Sequence, residues 1–431
     1  MGSIRPARDG FSGTAAVVHR GPRERWNKVQ GWKESMTLKK MMIALVMVAS
    51  LGLALGQGLT VWTTFGDQTL EWLEGEAASF SGAFGVPVSV VKLDLNELPA
   101  TVLRAAPQGE AGDLFVGVPH DQIGAMADGG VLADMSAYAT PGYLADLSEV
   151  ARLAYTYAGK LFGLPMYVEG PALIVNTDLV PNPPATFEEM IALAQELTTA
   201  DTFGFMFDAP NFYFAYVFLR SFGGYVFGRD ANDVLVPTDI GLANEGAVRG
   251  AQLLKDLRFT YDLIPSGVDY NVANGLFVDG SLAMIYNGPW AISQYREAGI
   301  NVAVMPMPPM ADGTEFGGFL GTQGVLMNQF STNKVDAANF AKWITRADAQ
   351  VSLAALTARP PASLTAIAQV SDDPVIEAFG LVLLNADPMP NIPEMGQVWG
   401  PAGNALAVIL ETPGSDVAAA LERAVAEILG N

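Results

Sequence analysis

From residue 59 onward, apolar and polar positions switch between two periods. Leu59-Thr60-Val61-Trp62 is strand-like, and Leu70, Leu73, Ala77, Phe80 and Phe84 then recur at spacings of three and four, one face of a helix. Val86, Val88 and Val90 return to a period of two, a half-buried strand. Asp113-Leu114-Phe115-Val116 is a short apolar run suited to a parallel strand buried on both faces. This β-α-β-α rhythm predicts an α/β domain with helices on both faces of its sheet. A second unit begins near residue 169. PALIVNTDLV reads as a strand, and Thr186, three residues before Glu189, opens the helix FEEMIALAQELT as a capping box. Further helices are predicted over GAVRGAQLLKDL, DAANFAKWI and DVAAALERAVAEIL, the last with Val417, Leu421, Val425 and Ile428 on one face. AMIYNGPW and NVAVMPMP read as strands. No repeat, low-complexity tract or linker separates the two units, so they are read as interwoven rather than beaded.

The segment before this pattern is an address. Residues 41–55 form a 15-residue apolar run, MMIALVMVASLGLAL, preceded by Lys39 and Lys40 and followed by the small-x-small triplet Ala54-Leu55-Gly56. That layout predicts a secretory signal peptide over 36–56, cleaved near Gln57. The run falls short of the roughly 20 apolar residues a membrane span needs. Residues 1–35, rich in Arg, Gly and Pro, have neither helix nor strand period, and translation is expected to start at Met36, with 1–35 a misannotated extension.

Charge sharpens the picture. Of 24 Lys and Arg and 45 Asp and Glu, residues 1–56 hold 9 and 3, leaving 15 against 42 in the remainder. A body this acidic should repel nucleic acid and anionic lipid. The chain has no cysteine, which excludes thiol nucleophiles, disulfides, Cys-ligated zinc and a lipid-anchored mature N-terminus. An exported protein with no such anchor favours a periplasm. Histidine occurs only as His19 and His120, so a mature chain has one, and a multi-histidine metal site is impossible. No cofactor and no metal are expected.

Candidate chemistry is concentrated in aromatics and carboxylates. Residues 203–227 hold 11 of the 41 Phe, Tyr and Trp. Most of these phenylalanines read as core. Tyr213 and Tyr216 sit near polar Asn211 in what reads as a turn, and a phenol wants a partner for its hydroxyl. Trp290 follows the turn Asn287-Gly288-Pro289, and Trp399 follows the Pro-rich stretch Met389-Pro390-Asn391-Ile392-Pro393. Flat rings suit the apolar C–H faces of a pyranose, and carboxylates or amides suit its hydroxyl rim. Asp67, the pair His120-Asp121, and Glu169 each follow a predicted strand, the end at which α/β sheets bind ligands.

The words VPHDQ, AGKLFGLPMYVEGPALIVNTDLVPNPPATFEEM, FGGYVF, IYNGPWAIS and MPNIPEMGQVW, in that order, are similar to those of the maltose/maltodextrin-binding proteins of ABC sugar importers, an extracellular solute-binding family. The resemblance covers essentially all of 57–431. It implies a periplasmic-binding-protein-like α/β fold, two interwoven lobes joined by a hinge, with 57–168 plus 319–372 as the first lobe and 169–318 plus 373–431 as the second. It implies a monomer that is no enzyme and that delivers sugar to integral-membrane permease subunits. By motif match, Asp67, Asp121 and Glu169 would bind sugar hydroxyls, and Tyr213, Trp290 and Trp399 would stack on sugar faces. Gln68 stands where the family often has Lys, Gly117-Val118-Pro119 where a Trp is usual, and Gln122 and the residues after Trp399 where Arg is expected. A less cationic cleft with fewer aromatic walls is therefore expected, and maltose, longer maltodextrins and trehalose all fit. Two other classes compete: a carboxylate-pair glycosidase using Asp121 and Glu169, and a binder of polyamine or another small solute.

Overall fold

The computed structural model describes residues 58–430; the expected signal peptide and the extension before it lie outside them. Along the chain the principal strands are β1 (Leu59–Thr63), β2 (Val88–Lys92), β3 (Leu114–Pro119), β4 (Gly163–Glu169), β5 (Ala172–Asn176), β6 (Phe203–Met206), β7 (Leu282–Asn287), β8 (Val302–Met305), β9 (Phe319–Met327) and β10 (Asp387–Pro388). They build two sheets. The first has the order β10-β9-β3-β1-β2, with β4 also paired to β9, and the second has the order β8-β5-β7-β6. β1 is parallel to β2 and β3, whereas β9 runs antiparallel to β3 and β4. The run expected to be a parallel strand, β3, thus has one parallel and one antiparallel neighbour.

Each sheet carries its own core. Val61, Leu73, Phe80, Phe115 and Phe340 belong to the first. Ile174, Phe187, Phe218, Met284 and Leu406 belong to the second. Helix Asp67–Phe84 buries Leu73, Ala77 and Phe80 of the face its 3-4 spacing predicts, with Leu70 partly buried, but Phe84, at its last turn, is 58% exposed. In helix Phe187–Leu197 the Thr186 hydroxyl accepts from the Glu189 amide at 3.2 Å, but the Glu189 carboxylate reaches one residue further back, to the Ala185 amide at 2.9 Å. The capping box is therefore shifted by one donor and still satisfies two amides that the helix cannot.

Three segments connect the cores. β4 contributes Leu164 and Met166 to the first core, and β5 begins the second only three residues after Glu169. β9 starts with Phe319 in the second core and ends with Val325, Leu326 and Met327 in the first. β10 pairs with the start of β9, and Met389 just after it is in the second core. Gly170 lies where these strands press together: a Cβ there would meet the Phe319 carbonyl and the Leu383 side chain. Between the two cores lies a cleft.

Candidate functional site

The cleft has a volume of about 1280 Å³, above the roughly 300–1,000 Å³ of a typical small-molecule pocket. Asp67, Asp121, Glu169, Tyr213, Trp290 and Trp399 all line it. Its first wall is made at the carboxyl ends of β1, β3 and β4, as the rule for open α/β sheets requires.

Asp67 begins its helix with φ 48° and is exposed at the cleft edge. The next residue, Gln68, spans the opening and donates to the carboxylate of Glu297 on the opposite side. Asp121 lies in the single 3-10 turn His120–Gln122 after β3 and is 9% exposed. Burial pushes its carboxyl up from 3.8 to about 6, against the opposing pull of its own backbone amide and the Trp399 side chain. His120 faces the other way. Its Nδ1 accepts from the Thr322 amide at 3.0 Å, so Nε2 carries the proton and donates to the Met389 carbonyl at 2.8 Å. Burial lowers it to about 4, leaving a neutral ring that ties together two of the connecting segments.

Glu169 ends β4 and is 5% exposed. One carboxylate oxygen accepts from Arg359 Nε at 2.9 Å and the other from the Gln323 amide. The Gln323 carbonyl takes the Tyr167 hydroxyl at 3.0 Å, and the Arg359 guanidinium lies 4.9 Å from the Tyr167 ring centre. Arg359, Gln323 and Tyr167 all face the cleft. The sequence reading missed all three.

The opposite wall is aromatic. Helix Phe212–Ser221 is capped by Asn211 and presents Tyr213. Trp290 stands in the turn Pro289–Ala291 after β7, its ring centre 6.1 Å from that of Tyr213. A Cβ on Gly288 would collide with this indole, so the turn needs glycine for close approach. Trp399 opens helix Trp399–Glu411 and packs against Phe212 and Phe319 at 5.9 and 5.8 Å. Tyr216 does not belong to this wall. The stretch read as a turn is a helix, and three residues after Tyr213 it carries Tyr216 into the core. There Tyr216 stacks on Phe319 at 3.8 Å between ring centres and bonds Asp387 at 3.1 Å.

Residues 77–378 match the family model described as bacterial extracellular solute-binding protein. The chain belongs to that family. The maltotriose-binding protein of Pyrococcus abyssi is 29% identical to this solute-binding protein over 86% of this chain and 82% of its own. The galactooligosaccharide-binding protein of Bacillus subtilis is 29% identical over 86% and 88%. Among solved structures, Thermus thermophilus maltotriose binding protein bound with maltotriose superposes with a TM-score of 0.83 at 45% identity, covering 86% of this chain and 98% of that one. The fold is thus the two-lobed fold of the maltose-binding proteins; the family is one of extracellular solute-binding proteins, and these relatives are named as sugar-binding proteins rather than enzymes.

The solute-binding protein has Gly117 where a Trp was expected, at φ 75°, and a Cβ there would press into the Phe65 ring. Phe65 lines the cleft and stacks at 6.4 Å on Tyr167. Phe65 and Tyr167 thus stand in the cleft beside the rings expected there from the sequence, Tyr213, Trp290 and Trp399. Among the described residues that line the cleft, Arg359 is the one Lys or Arg, and it is held against Glu169.

Asp121 gives a pH signature independent of ligand. Its folded pKa lies above its ordinary value, so the folded state holds this proton more tightly. Stability should therefore fall as pH rises from about 3 to about 7, by about 3 kcal/mol in all for a shift of this size. Asp121→Asn removes this term. The variant should exceed the parent in urea midpoint above pH 7 and converge with it near pH 3. Equal midpoints at both pH values would mean that the carboxyl is not held in a desolvated place.

Proposed function

We propose that the protein is the sugar-binding component of an ABC importer and closes its cleft on maltotriose or a maltodextrin of similar length. The observation that carries this reading is the convergence of carboxylates and flat rings on one cleft: Asp67, Asp121 and Glu169 line it together with Tyr213, Trp290 and Trp399. A pyranose has the matching anatomy, hydroxyls on its rim and C–H groups on its faces. The relatives named for maltotriose support the ligand class, and the galactooligosaccharide-binding relative keeps a galactoside as the second candidate. The connecting segments at the β4–β5 junction, along β9 and at β10 act as the hinge, so closure completes a site split between lobes. Export follows cleavage near Gln57. The mature monomer works in the periplasm and hands its sugar to the membrane permease.

Protein purified from its native envelope is expected to begin at or near Gln57 by intact mass. In titration calorimetry it is expected to bind maltotriose more tightly than a galactotriose. Small-angle scattering should show a smaller radius of gyration with maltotriose, and the sugar should be recovered unchanged. An unchanged radius at saturation would sink the clamp, and shorter glucans in the mixture would identify a glycosidase instead.

A further inference from the structure

Behind the Trp290 wall lies a closed ring of neutral hydrogen bonds. Asn287, the last residue of β7, uses its side-chain oxygen to accept the Gly288 amide at 2.8 Å. Its side-chain nitrogen donates to the Tyr295 hydroxyl at 2.8 Å and to Asn274 Oδ1 at 3.3 Å. The Tyr295 hydroxyl donates in turn to the same Asn274 oxygen at 2.8 Å, and Asn274 Nδ2 donates to Gln294 Oε1 at 2.9 Å. Asn287 and Tyr295 are 1% and 0% exposed. The ring therefore joins three elements: helix Tyr270–Val278, the end of β7, and helix Ile292–Glu297.

We infer that the Tyr295 hydroxyl is the positioning group for the Trp290 wall: buried behind the cleft, it locks the Asn287 carboxamide in the one orientation that holds the Gly288 amide and so aims the indole. The physical argument is satisfaction. Asn287 has two N–H donors and both are used inside this ring, so its carbonyl is left pointing at Gly288. Without the hydroxyl, one N–H loses its partner in a site sealed from water, and the carboxamide must turn to recover it. Gly288 has no side chain to resist that turn, and its backbone sits directly beneath the Trp290 ring. Tyr295 is a neutral donor at all ordinary pH values, because burial pushes its phenol well above the usual range. The ring is thus insensitive to pH.

This inference rests on the sugar-binding reading, but one of its tests does not. Tyr295→Phe keeps the ring packed at 4.4 Å against Phe277 and removes only the hydroxyl. The Gly288 amide should exchange with deuterium at least about tenfold faster, while amides within β7 keep their protection. Maltotriose affinity should fall about 5- to 20-fold. In a Trp290→Ala background the same change should cost less than about twofold, because the indole it positions is gone. Additive losses, or an unchanged Gly288 exchange rate, would overturn the inference. Should Tyr295→Phe not fold, Asn274→Ala removes the acceptor on the other side of the hydroxyl and is read by the same exchange. If the parent binds no maltotriose the sugar reading fails, and Gly288 exchange still decides the role of Tyr295.

Discussion

Arg359→Met should destabilise the folded protein by about 3–5 kcal/mol, the cost of leaving one partner of a buried ion pair alone. The pair is well sealed: the Arg359 and Glu169 side chains are 10% and 6% exposed and lie 2.9 Å apart. Methionine keeps most of the apolar stem that packs on Tyr167 but leaves the Glu169 carboxylate with only the Gln323 amide. A desolvated carboxylate with one neutral donor costs far more than the pair itself contributes. Urea unfolding of the two single variants and of Arg359→Met with Glu169→Met checks this. The double variant should recover most of the lost stability, because it removes both charges together. If Arg359→Met alone unfolds at the parent's midpoint, water reaches this pair and the cleft floor is wetter than the packing implies.

Trp290→Ala and Trp399→Ala should each weaken maltotriose binding by about 10- to 60-fold while the protein stays folded. A ring stacked on a sugar face removes roughly 60–100 Å² of apolar contact from water, and at about 25 cal/mol per Å² this is about 1.5–2.5 kcal/mol. Both indoles are only partly buried, and each is steadied by neighbouring rings rather than enclosed by them. Their loss should therefore cost the fold less than truncation of a core aromatic, which typically costs about 3–5 kcal/mol. Calorimetric titration beside a melting curve separates the outcomes. Parent-like affinity in both folded variants would remove these residues from the sugar wall. A large fall in melting temperature with intact affinity would make them core residues.

What was legible in the sequence was local. Periodicity follows from side-chain direction along one element, so the Leu73, Ala77 and Phe80 face and the Val417, Leu421 and Ile428 face could be read without a partner. Asp67, Asp121, Glu169 and Trp290 were visible as candidates because each follows a strand, and strand ends are where such sheets gather their ligand groups. The motif order carried the rest of the family reading. Tertiary structure decided whatever depends on a partner far along the chain. Tyr213 and Tyr216 are three residues apart on one helix, and only the arrival of Phe319 and Asp387, the latter 171 residues away, sends Tyr216 into the core. His120 stands beside Asp121 but bonds residues 202 and 269 positions on, which turns it from the cleft. Arg359 comes from a stretch with no ligand-like pattern and gains its role from Glu169, 190 residues earlier. A hydrogen bond or ion pair leaves no period in a sequence, because its geometry exists only once the chain has closed the distance between its ends.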